Sequence, residues 1–281
     1  MPGLLSFHAH PDDEVISTGG ILARYSALGE DVAVVTATDG VEGEVHNYED
    51  IDDVKSRLAE VRAEELAKAM AILGVGHHEF LGFRDSGMMG TEANDHPEAF
   101  WNADFMEASK RLVSVLRRLR PEVMVIYDPF GGYGHPDHIQ VHRVGMAAYF
   151  GCADLGRFPL AGGEDAWQPS KLYWTAWPRS RMIKLAEVGV QVGMMDEAEA
   201  EEWRASGTPD EDVTARIDVR RYFDRKLEAL TAHKSQIPDD WFLLKLPQEI
   251  QPEVMGHEYF VRISTRVEAP VHEDDLFTGL R

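Results

Sequence analysis

The 281-residue chain has a single cysteine, Cys152, so it can form neither an internal disulfide nor a Cys-rich zinc module. That thiol reads as a small buried apolar side chain. No apolar run reaches the roughly 18 residues that a membrane-spanning helix needs, so no membrane association is expected. Cations are few: 28 Lys and Arg stand against 49 Asp and Glu, a formal charge of −21. Such a balance argues against nucleic acid or an anionic membrane as partner. The richest acidic stretch, Asp196 to Asp212, reads as an exposed helix and loop. No cation-rich segment with a long apolar follower precedes the first apolar run, so no secretory leader is expected and the default location is cytoplasmic. A nucleotide fingerprint is also missing, because Gly19-Gly20 lies inside a helical pattern and Gly74-Val75-Gly76 ends one. There is no internal repeat and no low-complexity tract.

What is present is a hydrophobic fraction of 44%, enough for a substantial core. Leu4 to Phe7 reads as a short buried strand and Ile16 to Leu28 as a helix stopped by Gly29. Asp31 to Ala37 is a β-branched strand buried on both faces. Val54 to Leu73 reads as one long amphipathic helix, and His78 to Leu81 as a short strand. Phe105 to Leu119 is a helix and Val123 to Tyr127 a strand, followed by a helix over His138 to Phe150 with Pro136 suited to its first turn. The alternation predicts an α/β fold: a mostly parallel sheet with helices on both faces. After a Gly/Pro-rich linker, Pro159 to Pro169, strands are predicted at Lys171 to Trp177 and His257 to Ile263 and a helix at Val219 to Ala232. The expected organisation is a single domain over 1–281. Residues 1–155 are its motif-bearing core, and 156–281 form an elaborated C-terminal part that walls a substrate pocket.

Two segments carry the chemistry: His8-Ala9-His10-Pro11-Asp12-Asp13-Glu14 and His135-Pro136-Asp137-His138. Each follows an apolar strand, and in an open α/β sheet ligands bind at the carboxyl ends of strands. Two imidazoles and a carboxylate make a catalytic-type metal site with an open position. The set is His10, Asp13 and His138, which suits Zn2+, with Fe2+ or another divalent ion also accommodated. Asp12 is then a spare carboxylate, free to accept a proton from water. His135 is placed to stabilise an oxyanion or protonate a leaving amine, Tyr133 to polarise a carbonyl, and Asp137 to orient a ligand imidazole. His8 either lines the site or faces the sheet interior, His142 is a packing or supporting residue, and His77 and His78 belong to a surface or strand edge.

His10-Pro11-Asp12-Asp13-Glu14 together with Gly132-Tyr133-Gly134-His135-Pro136-Asp137-His138 resembles the LmbE-like/PIG-L zinc-dependent N-acetylglucosaminyl deacetylases over residues 4–150. A weaker echo lies in Asp275-Leu276-Phe277-Thr278-Gly279-Leu280. The resemblance implies a Rossmann-like fold without a dinucleotide, the same three ligands, Asp12 as general base, and His135 and Tyr133 around the carbonyl. Thr38-Asp39-Gly40-Val41-Glu42-Gly43-Glu44-Val45 and Arg84-Asp85-Ser86-Gly87-Met88 are similar to the mycothiol-pathway branch. In that branch Arg62, Asp85 and Glu44 would hold sugar or polyol hydroxyls; Arg62 also reads as a solvated helix charge. The amidase members of the branch typically carry Lys where Ser17 stands and Pro where Gly134 stands, so the chain departs from them toward the deacetylases.

The function these readings imply is metal-dependent hydrolysis of the N-acetyl amide of a glucosamine conjugate such as N-acetylglucosaminyl-inositol. The partner is thus a small-molecule amino-sugar conjugate; assembly into a homo-oligomer is compatible with the sequence. Alternatives are a mycothiol S-conjugate amidase, an N-acetylglucosaminyl-malate deacetylase, a phosphoester hydrolase and, from another class, a non-catalytic sugar-binding protein. A two-metal phosphatase needs more ligands than these segments supply, and a binding module has no use for the spare Asp12.

Overall fold

The computed structural model describes residues 3–281. In chain order the first half runs β1 (Leu4–His8), α1 (Asp13–Ala27), β2 (Val32–Thr38), α2 (Ile51–Ser56), α3 (Leu58–Leu73), β3 (His77–Phe83), α4 (Phe105–Leu119), β4 (Val123–Ile126) and α5 (Pro136–Gly151). The second half adds β5 (Lys171–Ala176), α6 (Arg179–Gln191), α7 (Glu197–Ala205), β6 (Ala215–Asp218), α8 (Phe223–Ala232), α9 (Phe242–Lys245), α10 (Gln251–Met255) and β7 (His257–Thr265). The seven strands form one sheet in the order β3-β2-β1-β4-β5-β7-β6. The first five are mutually parallel. β7 runs antiparallel to both β5 and β6, so every strand after residue 155 extends the sheet of the first half.

Side chains alternate across the central strands with a period of two. Leu4, Val32, Val34, Val123 and Val125 face α1, α3 and α8 on one side. Leu5, Phe7, Ala33, Val35, Met124 and Ile126 face α4 and α5 on the other. Burial on both faces is what makes these strands continuous apolar runs. Among the described residues no helix is long and apolar enough to cross a membrane.

Some boundaries differ from the sequence reading. The helix expected as one piece over Val54 to Leu73 is two, broken at Arg57 (φ −130°, ψ 28°). Asp50 caps the first piece by accepting from the Asp53 amide. β3 extends to Phe83, and α5 starts at Pro136, ahead of His138. The helix predicted from Val219 begins at Phe223, after a 3-10 turn over Arg220–Tyr222. β6, α6, α9 and α10 are additional elements.

α1 takes extra hydrogen bonds from the C-terminal part. The Gly20 and Ile21 amides donate to Glu258 at 2.7 and 2.8 Å. The carbonyl of Ile16 accepts from Lys226 Nζ (3.1 Å), which also pairs with Glu258 (2.6 Å). This buried ion pair stitches β7 and α8 to α1. A Cβ on Gly20 would lie 2.5 Å from Val219 Cγ2 and 2.8 Å from Glu258 Oε1. Helix propensity favours Ala over Gly by about 1 kcal/mol, but overpacking here outweighs it. Gly20→Ala is therefore expected to destabilise the protein by ~1–3 kcal/mol in urea unfolding; a raised midpoint would contradict this packing account.

Candidate active site

β1 lies between β2 and β4, so the connections after β1 and β4 leave the sheet in opposite directions and open a crevice at the strand carboxyl ends. The turn after β1 carries His10 to Asp12, and Asp13 opens α1. The loop after β4 leads to His135, which caps α5: its Nδ1 accepts the Asp137 amide at 3.1 Å, and Pro136 takes the first helical position. Gly131 (φ +66°) lets this loop pass closely over α5, where a Cβ would sit 2.4 Å from the His138 Cβ.

His10, Asp13 and His138 converge. Asp13 Oδ2 lies 3.2 Å from His10 Nδ1 and 3.2 Å from His138 Nε2. A tetrahedral ion with ~2.0–2.1 Å bonds has ligand-to-ligand edges of about 3.3 Å, close to both of these Asp13 spacings. The remaining ring nitrogens are engaged as those of metal-ligating histidines are. His10 Nε2 meets Asp137 Oδ2 at 3.1 Å and Asp85 Oδ1 at 3.4 Å, and His138 Nδ1 meets the Gly131 carbonyl at 3.1 Å. Among the described residues, the groups whose ligand atoms lie mutually within 4.8 Å are His10, His135 and His138, and His10, Asp85, His135 and Asp137; both include His135 and neither includes Asp13. Asp137 is fixed in turn by the Ser86 amide (2.9 Å) and hydroxyl. Asp13, Asp85 and Asp137 are all buried, so the cluster calls for positive charge. Burial acts to raise the Asp13 carboxyl, yet His138 and His10 hold it well below the usual range. Burial and the neighbouring His10 and His138 lower His135 to about 3. A neutral His135 whose Nδ1 accepts an amide carries its proton on Nε2, as a donor.

Asp12 occupies a left-handed conformation, φ 130° and ψ −32°. For a non-glycine residue that strain costs of order 1–3 kcal/mol. Its carboxylate meets Arg62 Nη2 at 3.2 Å. Arg62 also donates to the carbonyls of Pro11 and Gly40, both at 2.7 Å. It is therefore a buried clamp, not the solvated charge that the helix pattern also allowed. Burial pushes Asp12 up to about 6 although Arg62 pulls it down.

Asp85 is buried, accepts the Gly87 and Glu42 amides and reaches His10. Glu44 stands at the rim with its side chain 87% exposed. Tyr133 is half exposed, its hydroxyl 3.4 Å from His138 Nε2. His8 lies beneath the site, bonded to Tyr127 and Thr18. His142 Nδ1 donates to the Tyr127 carbonyl, and its ring packs on Trp174. His77 is exposed on edge strand β3. Sequence reasoning gave no role to Tyr127, whose ring stacks on His138 at 4.5 Å and 15°. Its place at the end of β4, just before the loop, was the available signal. Glu14 and His233, joined at 2.8 Å, were also passed over, and nothing local in the sequence marks His233.

The profile of the PIG-L family, described as GlcNAc-PI de-N-acetylase, matches residues 5–149. The chain belongs to the PIG-L family. A 1D-myo-inositol 2-acetamido-2-deoxy-alpha-D-glucopyranoside deacetylase of Catenulispora acidiphila is 46% identical, the alignment covering 99% of this chain and 89% of that one. One from Geodermatophilus obscurus is 44% identical, with 99% and 97% covered. Among solved structures, the N,N'-diacetylchitobiose deacetylase of Pyrococcus horikoshii superposes with a TM-score of 0.64 at 21% identity, over 93% of this chain and 83% of that one, a likeness of fold.

In this PIG-L chain the cluster forms the floor of a cavity of about 1070 Å³. Its lining includes the polar residues Asp12, Glu42, Glu44, Arg62 and Asp85, and the aromatic residues Trp177, Trp203, Trp241 and Phe242 from the C-terminal part. Asp137→Asn removes the carboxylate behind His10 without changing shape. It is expected to weaken divalent-metal affinity by about 10–100-fold, measured by competition with a chromogenic chelator; unchanged affinity would remove Asp137 from the metal's support.

Proposed function

We propose that the protein is a zinc-dependent N-deacetylase that removes the acetyl group from a glucosamine conjugate with a neutral polyol aglycone, N-acetylglucosaminyl-inositol. The observation that carries this reading is the convergence of His10, Asp13 and His138 beside a spare, strained carboxylate, in a chain 40–46% identical to several inositol-conjugate deacetylases. A divalent ion held by those three residues supplies a Lewis acid for the acetyl carbonyl and lowers the pKa of water. Asp12 accepts the proton of the attacking water. The Nε2 proton of His135 and the hydroxyl of Tyr133 donate to the developing oxyanion. Asp12 then returns its proton to the departing amine, and acetate is released. Glu44, Asp85 and Arg62 line the same cavity and are assigned to sugar and polyol hydroxyls.

Charge in the cavity favours a neutral aglycone over malate. Beyond Asp12, Asp13 and Asp85, it is lined by Glu42, Glu44, Glu92 and Glu199, and among its described lining residues Arg62 is the one Lys or Arg. That guanidinium is already engaged by Asp12 and two carbonyls. Glu42 is paired with Arg84, but the remaining acids outnumber the cations, so a carboxylate-bearing substrate would meet net negative charge. Against the amidase branch, Gly134 sits at φ +92°, which a proline at φ ≈ −65° cannot adopt.

Amine release from the inositol and malate conjugates tests the assignment. Zinc-loaded enzyme is expected to cleave the inositol conjugate with kcat/KM at least about tenfold above the malate conjugate, the tenfold corresponding to ~1.4 kcal/mol; chelator-treated enzyme is expected to cleave neither. Asp12→Ala should lower kcat by about 10²–10⁴-fold with metal still bound. Turnover retained in that variant would rule out Asp12 as base. The base must be ionised, so activity is lost as pH falls through its pKa. The acid limb of kcat/KM is expected at or below about 6, since a bound cation moves the Asp12 pKa down from about 6. An acid limb well above 6 would point to another group.

A further inference from the structure

An aspartate at a helix N-cap ordinarily adopts extended backbone and turns its carboxylate onto an amide of the first turn. Asp12, at the N-cap of α1, does neither: its φ is 130°, and its side chain makes no capping bond. Its backbone amide donates to Glu14 Oε2 at 3.0 Å. The other oxygen of Glu14 meets His233 Nε2 at 2.8 Å. Both Glu14 and His233 are fully buried. His233 stands at the C-terminal end of α8, 219 residues from its partner, and its Nδ1 has no hydrogen-bond partner. A buried imidazole with one nitrogen unpaired carries a desolvation penalty, so its place has to be accounted for by the bond its other nitrogen makes.

We propose that His233, acting through Glu14, is a positioning residue for Asp12. The imidazole N–H fixes the rotamer of the Glu14 carboxylate, which holds the Asp12 amide. The turn is thereby kept out of the regular capping conformation, and the Asp12 carboxylate stays directed at Arg62 and the cavity. The neighbours of His233 brace the same region: Ser235 donates to Glu65 through its amide (2.8 Å) and hydroxyl (2.6 Å), and Gln236 Nε2 donates to the Glu44 carbonyl at 2.9 Å. The inference rests on Asp12 being the base.

The test compares His233→Ala, His233→Leu, His233→Gln and Asp12→Ala in zinc-loaded enzyme with N-acetylglucosaminyl-inositol, reading kcat, KM and bound metal for each. Leu fills the volume without a donor, and Gln restores an N–H of similar reach. A displacement of about 1 Å costs up to ~100-fold, so Ala and Leu are expected to lower kcat by about 10–100-fold with KM and metal content within about twofold, and Gln to recover most of the loss. A crystal structure of the Leu variant is expected to have Asp12 relaxed onto the Val15 amide. The proposal is overturned if Leu keeps full kcat, if Gln is as poor as Leu, or if lost kcat follows lost metal. Full activity in Asp12→Ala overturns the base assignment itself; an inactive Asp12→Ala beside a fully active His233→Leu overturns only the role of His233.

Discussion

Because β2 lies on one side of β1 and β4 on the other, the chain leaves the two central strands in opposite directions, and their carboxyl ends frame a crevice that no connection crosses. Each polar segment is delivered to that crevice by a strand buried on both faces: β1 pairs along its length with β2, and β4 with β5. The first turns of α1 and α5 then present Asp13 and His138 toward each other. Packing of apolar strands thus sets the 3.2 Å spacings on which any metal chemistry here relies.

Inside the crevice the governing quantity is charge. Three buried carboxylates surround His10, and Arg62 is turned away from them onto Asp12. Without a cation, the balancing charge falls on His10: burial disfavours a proton there, but Asp85, Asp13 and Asp137 raise its affinity well above the ordinary value. A metal ion satisfies the same demand without a proton, so metal uptake and proton release are linked.

The sheet and the chemistry-bearing segments were legible because their signals are local. Apolar runs such as Val123 to Ile126 end abruptly in His, Asp and Gly, and Pro136 and Gly74 punctuate helices where the periodicity changes. The break at Arg57 carried no Gly or Pro to announce it. β6 is four residues with alternating burial, too short for a pattern to stand out, and its place beside β7 is a long-range pairing. The same holds at the site. Asp137 lies beside His138 in sequence, so its supporting role was readable. The contact of His233 with Glu14 depends on how α8 packs on α1 and α3, which no window along the chain contains.

The segment from His233 to Gln236 lies beyond the stretch that defines the family, residues 5–149, yet it touches Glu14, Glu65 and the Glu44 backbone. The two halves are therefore not interchangeable parts. A chimera joined near residue 155, with the second half borrowed from a distant homologue, would keep every signature residue and still inherit an unsupported turn at Asp12. Exchange of specificity between such enzymes by recombination requires that positions 14, 65 and 233–236 travel together, although the breakpoint separates them.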